Sequence, residues 1–202
     1  MSNISPAEKA PGGLRERKKA KSRAVIQQQA VRLFTEKGYE ATTVEQIAEA
    51  AEVSPSTFFR YFPTKEDVVL YDSLDPILLE AMRTQPPELS PLQAIRSTFR
   101  VIFSQLPREE QEMMWQRGNL IRSTPELRSR MLDDLVRTIQ TIGEIVAARV
   151  GRPVDDFAVR AFSGAVIGAA MAAWLTTPDI RPEETFQLMD DALAFMEAGL
   201  PL

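Results

Sequence analysis

Arg15, Arg17, Lys18, Lys19, Lys21 and Arg23 crowd one short stretch of a 202-residue chain. Cations this close together suit phosphate neutralisation. They fall where a first helix should begin, and basic residues at a helix N-terminus oppose its macrodipole. Helix stability therefore does not explain them. Phosphate contact does, with a merely solvated basic tail as the plain alternative. Three carboxylate pairs, Asp133-Asp134, Asp155-Asp156 and Asp190-Asp191, would suit acid–base chemistry if they converged. Neighbouring residues on a helix point apart, so the pairs read as caps or exposed faces. The chain has no histidine and no cysteine. That removes the commonest general base, the commonest metal ligand, any thiolate nucleophile and any disulfide. There is no Gly-rich phosphate loop either. An enzyme is not expected, nor a cofactor or metal site.

The stretch that such cations would serve is residues 43–65, TVEQIAEAAEVSPSTFFRYFPTK. Val44, Ile47, Ala48 and Ala51 have helical spacing. Thr43 with Gln46 three residues on forms a capping box. After a break at Glu52-Val53, Ser54 can cap a second helix with Pro55 in its first position. That helix carries Thr57, Phe58 and Tyr61 and stops before Pro63. Two short helices joined by about three residues have helix-turn-helix spacing.

In Gly38, Thr43, Ile47-Ala48, Val53-Ser54, the run Thr57 to Phe62, and Lys65-Glu66, the chain resembles the DNA-binding domain of the TetR family of bacterial transcriptional regulators, over roughly residues 20–70. Two positions depart from the family pattern. Glu52 stands where the turn usually has glycine, and a left-handed conformation there costs about 1–2 kcal/mol. Phe59 stands where some members have a phosphate-binding tyrosine. Carried over from the family, Thr43, Tyr61 and Lys65 would hold phosphates, while Pro55, Ser56, Thr57 and Arg60 would face base edges. Arg60 suits a bidentate bond to guanine.

Net charge is −4, which alone argues against nucleic acid, but its distribution reverses the argument. Residues 1–65 carry a net +4 with all six lysines, and residues 66–202 a net −8. A basic head on an acidic body is expected when one end meets phosphate. The most apolar run, Gly164 to Leu175, falls short of the roughly 18–20 residues that cross a bilayer. No signal peptide is evident. A cytoplasmic protein with no membrane partner is expected.

The expected architecture is all-α, with a disordered arm over 1–13, a helix-turn-helix DNA-binding domain over 14–66, and a helical-bundle ligand-binding and dimerisation domain over 67–202. Ile26, Ala30, Leu33 and Phe34 stripe the first helix, which ends at Gly38. A helix capped by Thr64 runs on towards Pro86, with a possible kink at Asp75-Pro76. Further helices are expected over about 91–106, 108–122, 125–150, 155–176 and 182–199. No stretch alternates with period two, so no sheet is expected.

In the body, Phe99, Phe103, Met114, Trp115, Leu135 and Ile139 belong to a density of bulky apolar residues that reads as core or as a cavity between helices. The family resemblance implies a cavity for a small, largely apolar effector. Arg117 and Arg122 are then its candidate polar partners, or else part of a solvated face. Gly164, Gly168 and Ala172 recur every four residues and suit close helix packing, within the subunit or between copies. Together with Phe186, Met189 and Leu193 on the last helix they form a candidate dimer interface, which the family's mode of dimerisation favours. The reading is a dimeric repressor that binds a double-stranded, pseudo-palindromic operator and is released by an effector. The alternative is a helical interaction dimer without a DNA role.

Overall fold

The computed structural model describes residues 13–177 and 181–201. The arm expected over 1–13 lies, Gly13 apart, outside the described residues. Those residues form helices α1 Leu14–Lys37, α2 Val44–Ala50, α3 Pro55–Tyr61, α4 Lys65–Leu70, α5 Asp75–Arg83, α6 Pro91–Ser104, α7 Arg108–Ser123, α8 Pro125–Val150, α9 Phe157–Thr176 and α10 Pro182–Glu197. No strand occurs among them.

Local chemistry sets most boundaries. Thr43 Oγ1 accepts the Gln46 N–H at 3.3 Å, and Gln46 Oε1 accepts the Thr43 N–H at 3.2 Å. Two otherwise unpaired donors at the start of α2 are thereby satisfied. Ser54 Oγ accepts the Thr57 N–H at 3.1 Å ahead of Pro55 in α3. Thr64 with Asp67, and Ser90 with Gln93, repeat the capping box at α4 and α6. Asp156 caps α9, accepting the Ala158 N–H at 2.7 Å.

The helix expected from Thr64 towards Pro86 is two helices, α4 and α5, rather than one kinked helix. Pro76 has no N–H to give the Asp72 carbonyl four residues back, and is tolerated in the first turn of a new helix, where that N–H would be unpaired anyway. Asp72 Oδ1 instead accepts the Leu74 N–H at 2.8 Å ahead of α5.

The turn after α2 is a Schellman motif. The Val53 N–H bonds the Ala48 carbonyl at 2.9 Å and the Glu52 N–H bonds the Glu49 carbonyl at 3.0 Å. This geometry requires Glu52 to take φ +54°, the left-handed region. Glu52→Gly is therefore expected to stabilise the chain by about 1 kcal/mol, once the greater freedom of the unfolded glycine is allowed for. Urea unfolding of the two proteins measures this directly.

The chain divides into two compact units. The first holds residues up to Tyr71 together with 116–128, and the second holds 72–115 together with 129–202. The boundary expected at 66 therefore moves to 71, and the end of α7 with the start of α8 joins the head. In the head, Ile26, Ala30 and Val31 of α1, Ile47 of α2, Phe58 of α3, and Val68 and Val69 of α4 are wholly buried. Burial of that valine pair ties α4 to the head rather than to the body.

The carbonyls that α4 leaves without helical partners are met by side chains. Gln27 Nε2 donates to Val68 O at 2.9 Å and to Tyr71 O at 2.7 Å. Arg117 Nε donates to Val69 O at 2.9 Å.

In the body, Met82, Leu92, Ile95, Ile145, Val166 and Leu193 form the main core. Val146, Ala147 and Val159 form a second cluster between α8 and α9. Asp190 is not the exposed carboxylate its pairing with Asp191 suggested; it is buried on α10. Arg100 Nη2 donates to it at 2.7 Å and Arg96 Nε at 3.2 Å, fastening α10 to α6. Arg96 also reaches Glu197.

Helix α9 is long and apolar enough to cross a membrane by length and composition, with mean hydropathy 1.5. Only 17% of it is buried within the chain.

Candidate nucleic-acid interface

Helix α3 presents two unlike sides because its period is 3.6 residues. Phe58 and Phe62 turn inwards and are buried. Pro55, Ser56, Phe59 and Arg60 face out, with Thr57 half-buried beside them. Ser54 Oγ sits 2.9 Å from Ser56 Oγ and donates to Thr57 Oγ1 at 3.0 Å, so the helix N-terminus displays a small cluster of hydroxyls. The Arg60 guanidinium lies 5.3 Å from the Tyr61 ring.

Beside this face, the first turns of α1 and the last turn of α3 enclose a groove of about 780 Å³. Leu14, Arg15, Glu16, Lys18 and Lys19 line it from α1, and Arg60 and Tyr61 line it from α3, four cations against one carboxylate. All three α1 cations are exposed. A hydrogen bond with Ser22, together with Arg60 and Lys19 nearby, holds the Tyr61 phenol below its usual pKa. The Ser22 bond is the largest of these causes, and the two cations add to it. The Arg23 guanidinium lies 5.1 Å from the Tyr71 ring and 6.0 Å from the Tyr61 ring. Its shielded Nε has no hydrogen-bond partner, so the aromatic faces supply its stabilisation.

Thr43, the α2 cap, is exposed. Lys65 is differently placed from a free phosphate ligand. Its Nζ donates to Tyr39 O at 2.9 Å and Thr42 O at 3.4 Å, and lies 4.0 Å from the Tyr39 ring centre. An ammonium has three N–H donors, so one remains for a phosphate. Tyr39 in turn donates to Glu66 Oε1 at 2.6 Å. Burial first, and then that bond and the Glu66 charge, push the Tyr39 phenol upwards.

Phe59 is the exposed residue that the sequence did not assign. It is 49% exposed although aromatic. The available signal was its helical position, one residue off the Phe58–Phe62 stripe.

In the body unit, Phe103, Met114, Trp115, Phe186 and Met189 line a cavity of about 160 Å³ together with Gln111 and Thr185. Phe99 lies behind Phe103, with ring centres 5.6 Å apart. Leu135 and Ile139 do not line this cavity. Arg117 and Arg122 fold with the head instead, Arg117 held at Val69 and Arg122 hydrogen-bonded to Asn119.

The candidate interface residues also separate. Gly168 and Ala172 are exposed, and a Cβ added at Gly164 or Gly168 would meet nothing within 4 Å. Phe186 and Met189 face the cavity of their own chain and Leu193 its core. The alternation on α10 follows from one helix serving both an inner and an outer surface.

Residues 26–71 match the family model described as bacterial regulatory proteins, tetR family, and residues 89–201 match the MftR C-terminal domain. The chain is 38% identical over 151 residues to the HTH-type transcriptional regulator TcmR of Streptomyces glaucescens, covering 71% of this chain and 67% of that protein. Among solved structures, a TetR-family regulator from Syntrophomonas wolfei superposes with a TM-score of 0.62 at 18% identity, over 91% of this chain and 98% of that one. Thermus thermophilus FadR, a TetR-family repressor in complex with lauroyl-CoA, superposes with a TM-score of 0.57 at 24% identity, over 89% and 95%. A helix-turn-helix with an outward-facing second helix, set beside a basic groove and followed by a helical bundle, is thus matched along nearly its whole length: the chain belongs to the TetR family of transcriptional regulators.

Proposed function

We propose that the protein is a dimeric, effector-responsive repressor that reads a pseudo-palindromic operator with α3. The observation carrying this is the exposed α3 face beside a groove lined by Arg15, Lys18, Lys19 and Arg60. Tyr61, Thr43 and the remaining N–H of Lys65 hold phosphates and set register. Pro55, Ser56, Thr57 and Arg60 meet base edges and set sequence. Phe59 adds an apolar surface suited to a thymine methyl. The protein works where its operator is, in the cytoplasm.

Operator selection from a random library, followed by affinity measurement at fixed salt, tests this reading. Arg60→Ala is expected to relax preference at one or two base positions, at about 1–3 kcal/mol per lost contact. Tyr61→Ala is expected to weaken all sequences alike. Unaltered base preference in the Arg60 variant would remove α3 as the reading element.

The partner copy packs on α9. Its outward stripe runs Phe157, Ala161, Ala165, Gly168 and Ala172, all exposed within one chain. Glycine inside a helix costs about 1 kcal/mol relative to alanine, and nothing in the subunit needs the space at Gly164 or Gly168. Gly168→Leu is therefore compatible with folding of the monomer but overpacks the crossing, by about 1–3 kcal/mol. Sedimentation is expected to show dissociation at concentrations where the parent protein remains a dimer.

The effector occupies the body cavity and favours a spacing of the two heads that fits the operator poorly. Its leverage equals its differential affinity for the two states.

A further inference from the structure

The chemistry of the body cavity narrows its ligand, on the reading above that the protein responds to an effector. Among the described residues, no charged side chain lines the cavity. An ionised carboxylate or phosphate buried there would find no counter-charge. The aromatic side chains are ordered. Phe99, Phe103 and Phe186 form a column with successive ring centres 5.6 and 5.0 Å apart and planes inclined by 12° and 23°. Near-parallel rings at this spacing are offset-stacked, and another flat ring prolongs the column. Met114 and Met189 add polarisable sulfur, which favours aromatic neighbours.

Gln111 and Thr185 have already committed hydrogens. Gln111 Nε2 donates to Leu106 O at 3.0 Å, and Thr185 Oγ1 donates to Arg181 O at 3.2 Å. The threonine hydroxyl has no second hydrogen and the amide keeps one. The two groups thus offer oxygen lone pairs and one amide N–H, which a ligand hydroxyl, both donor and acceptor, can meet. Size sets the last limit. An apolar cavity of about 150 Å³ accommodates benzene, so 160 Å³ suits one or two fused rings.

We propose that the ligand is a neutral, flat aromatic molecule of one or two fused rings bearing a hydroxyl group. Its ring stacks on the Phe99–Phe103–Phe186 column, and its O–H donates to Gln111 Oε1 or Thr185 Oγ1.

Isothermal titration of the full-length protein with 1-naphthol, naphthalene, 1-naphthoate and dodecanoate tests this, with operator affinity measured separately by gel shift. 1-Naphthol is expected to bind once per chain, at least about tenfold more tightly than naphthalene and about a hundredfold more tightly than either carboxylate. Gln111→Leu with Thr185→Val is expected to abolish the preference for naphthol over naphthalene while naphthalene still binds. Met189→Trp, which fills the cavity, is expected to block both, and Phe186→Leu to weaken both. Four results overturn the proposal: no naphthol binding up to about 1 mM, dodecanoate or naphthoate binding as tightly as naphthol, naphthol binding unchanged in Met189→Trp, or a preference that survives the double variant. Naphthol that binds as expected but leaves operator affinity unchanged supports the site and overturns the effector reading instead.

Discussion

Asparagine in place of Asp190 is expected to lower the free energy of unfolding by about 3 kcal/mol, because removing one partner of a buried ion pair strands the other. Asp190 has a side chain only 8% exposed and faces two guanidinium groups. Arg100 is 56% exposed and can return to water, whereas Arg96, at 15%, cannot. The loss therefore belongs mainly to Arg96, which keeps only its ion pair with the half-exposed Glu197, and so lies at the lower end of the usual range. The penalty measures a stranded charge rather than the net worth of the pair.

Burial pushes the Asp190 carboxyl up, but hydrogen bonds from Arg100 and Arg96 outweigh it and hold the group below its ordinary value. A carboxyl depressed in the folded state contributes stability above its unfolded pKa and loses it as pH falls through the folded one. The gap in stability between the parent protein and Asp190→Asn is thus expected to be full at pH 7 and to close below about pH 4. Urea unfolding across that range reads it. A gap independent of pH would mean that packing, not charge, holds α10 to α6.

The triple change Arg15→Gln, Lys18→Gln, Lys19→Gln is expected to cut operator affinity by roughly tenfold to a thousandfold at moderate salt, with base preference intact. The log–log salt slope should fall by about 3, near 0.9 for each phosphate released. The three side chains are exposed, so stability should change by no more than about 0.5 kcal/mol each. An unchanged slope would return these cations to the status of a solvated helix face.

What was legible in the sequence was what local chemistry decides. Thr43 with Gln46, Ser54 before Pro55, and Gly38 after the first stripe each announce a helix end through contacts a few residues apart. The turn at Glu52 was legible too, including its left-handed backbone. Long-range partners were not. Arg117 looked like a ligand contact because it neighbours Trp115, but its acceptor is Val69, 48 residues away. Asp190 looked exposed because nothing nearby in sequence shows Arg96 and Arg100 arriving from α6. The α10 share of the cavity lining escaped for the same reason: Phe103, Met114 and Trp115 were candidates from the sequence, but Phe186 and Met189 carry no local mark of facing inwards.

Helix α4 has six residues, well short of the roughly 12–15 at which an isolated helix becomes even marginal in water. Its helicity is thus conditional on the groups that meet its terminal carbonyls, Gln27 and Arg117. Local opening, not global unfolding, should govern amide hydrogen exchange at Val69, Leu70 and Tyr71. Exchange there should speed up in Arg117→Leu while the amides of Ile47 and Ala48 keep their protection. Because α7 supplies both Arg117 to this carbonyl and Gln111, Met114 and Trp115 to the cavity, those amides are where a change in α7 would register as a change of rate.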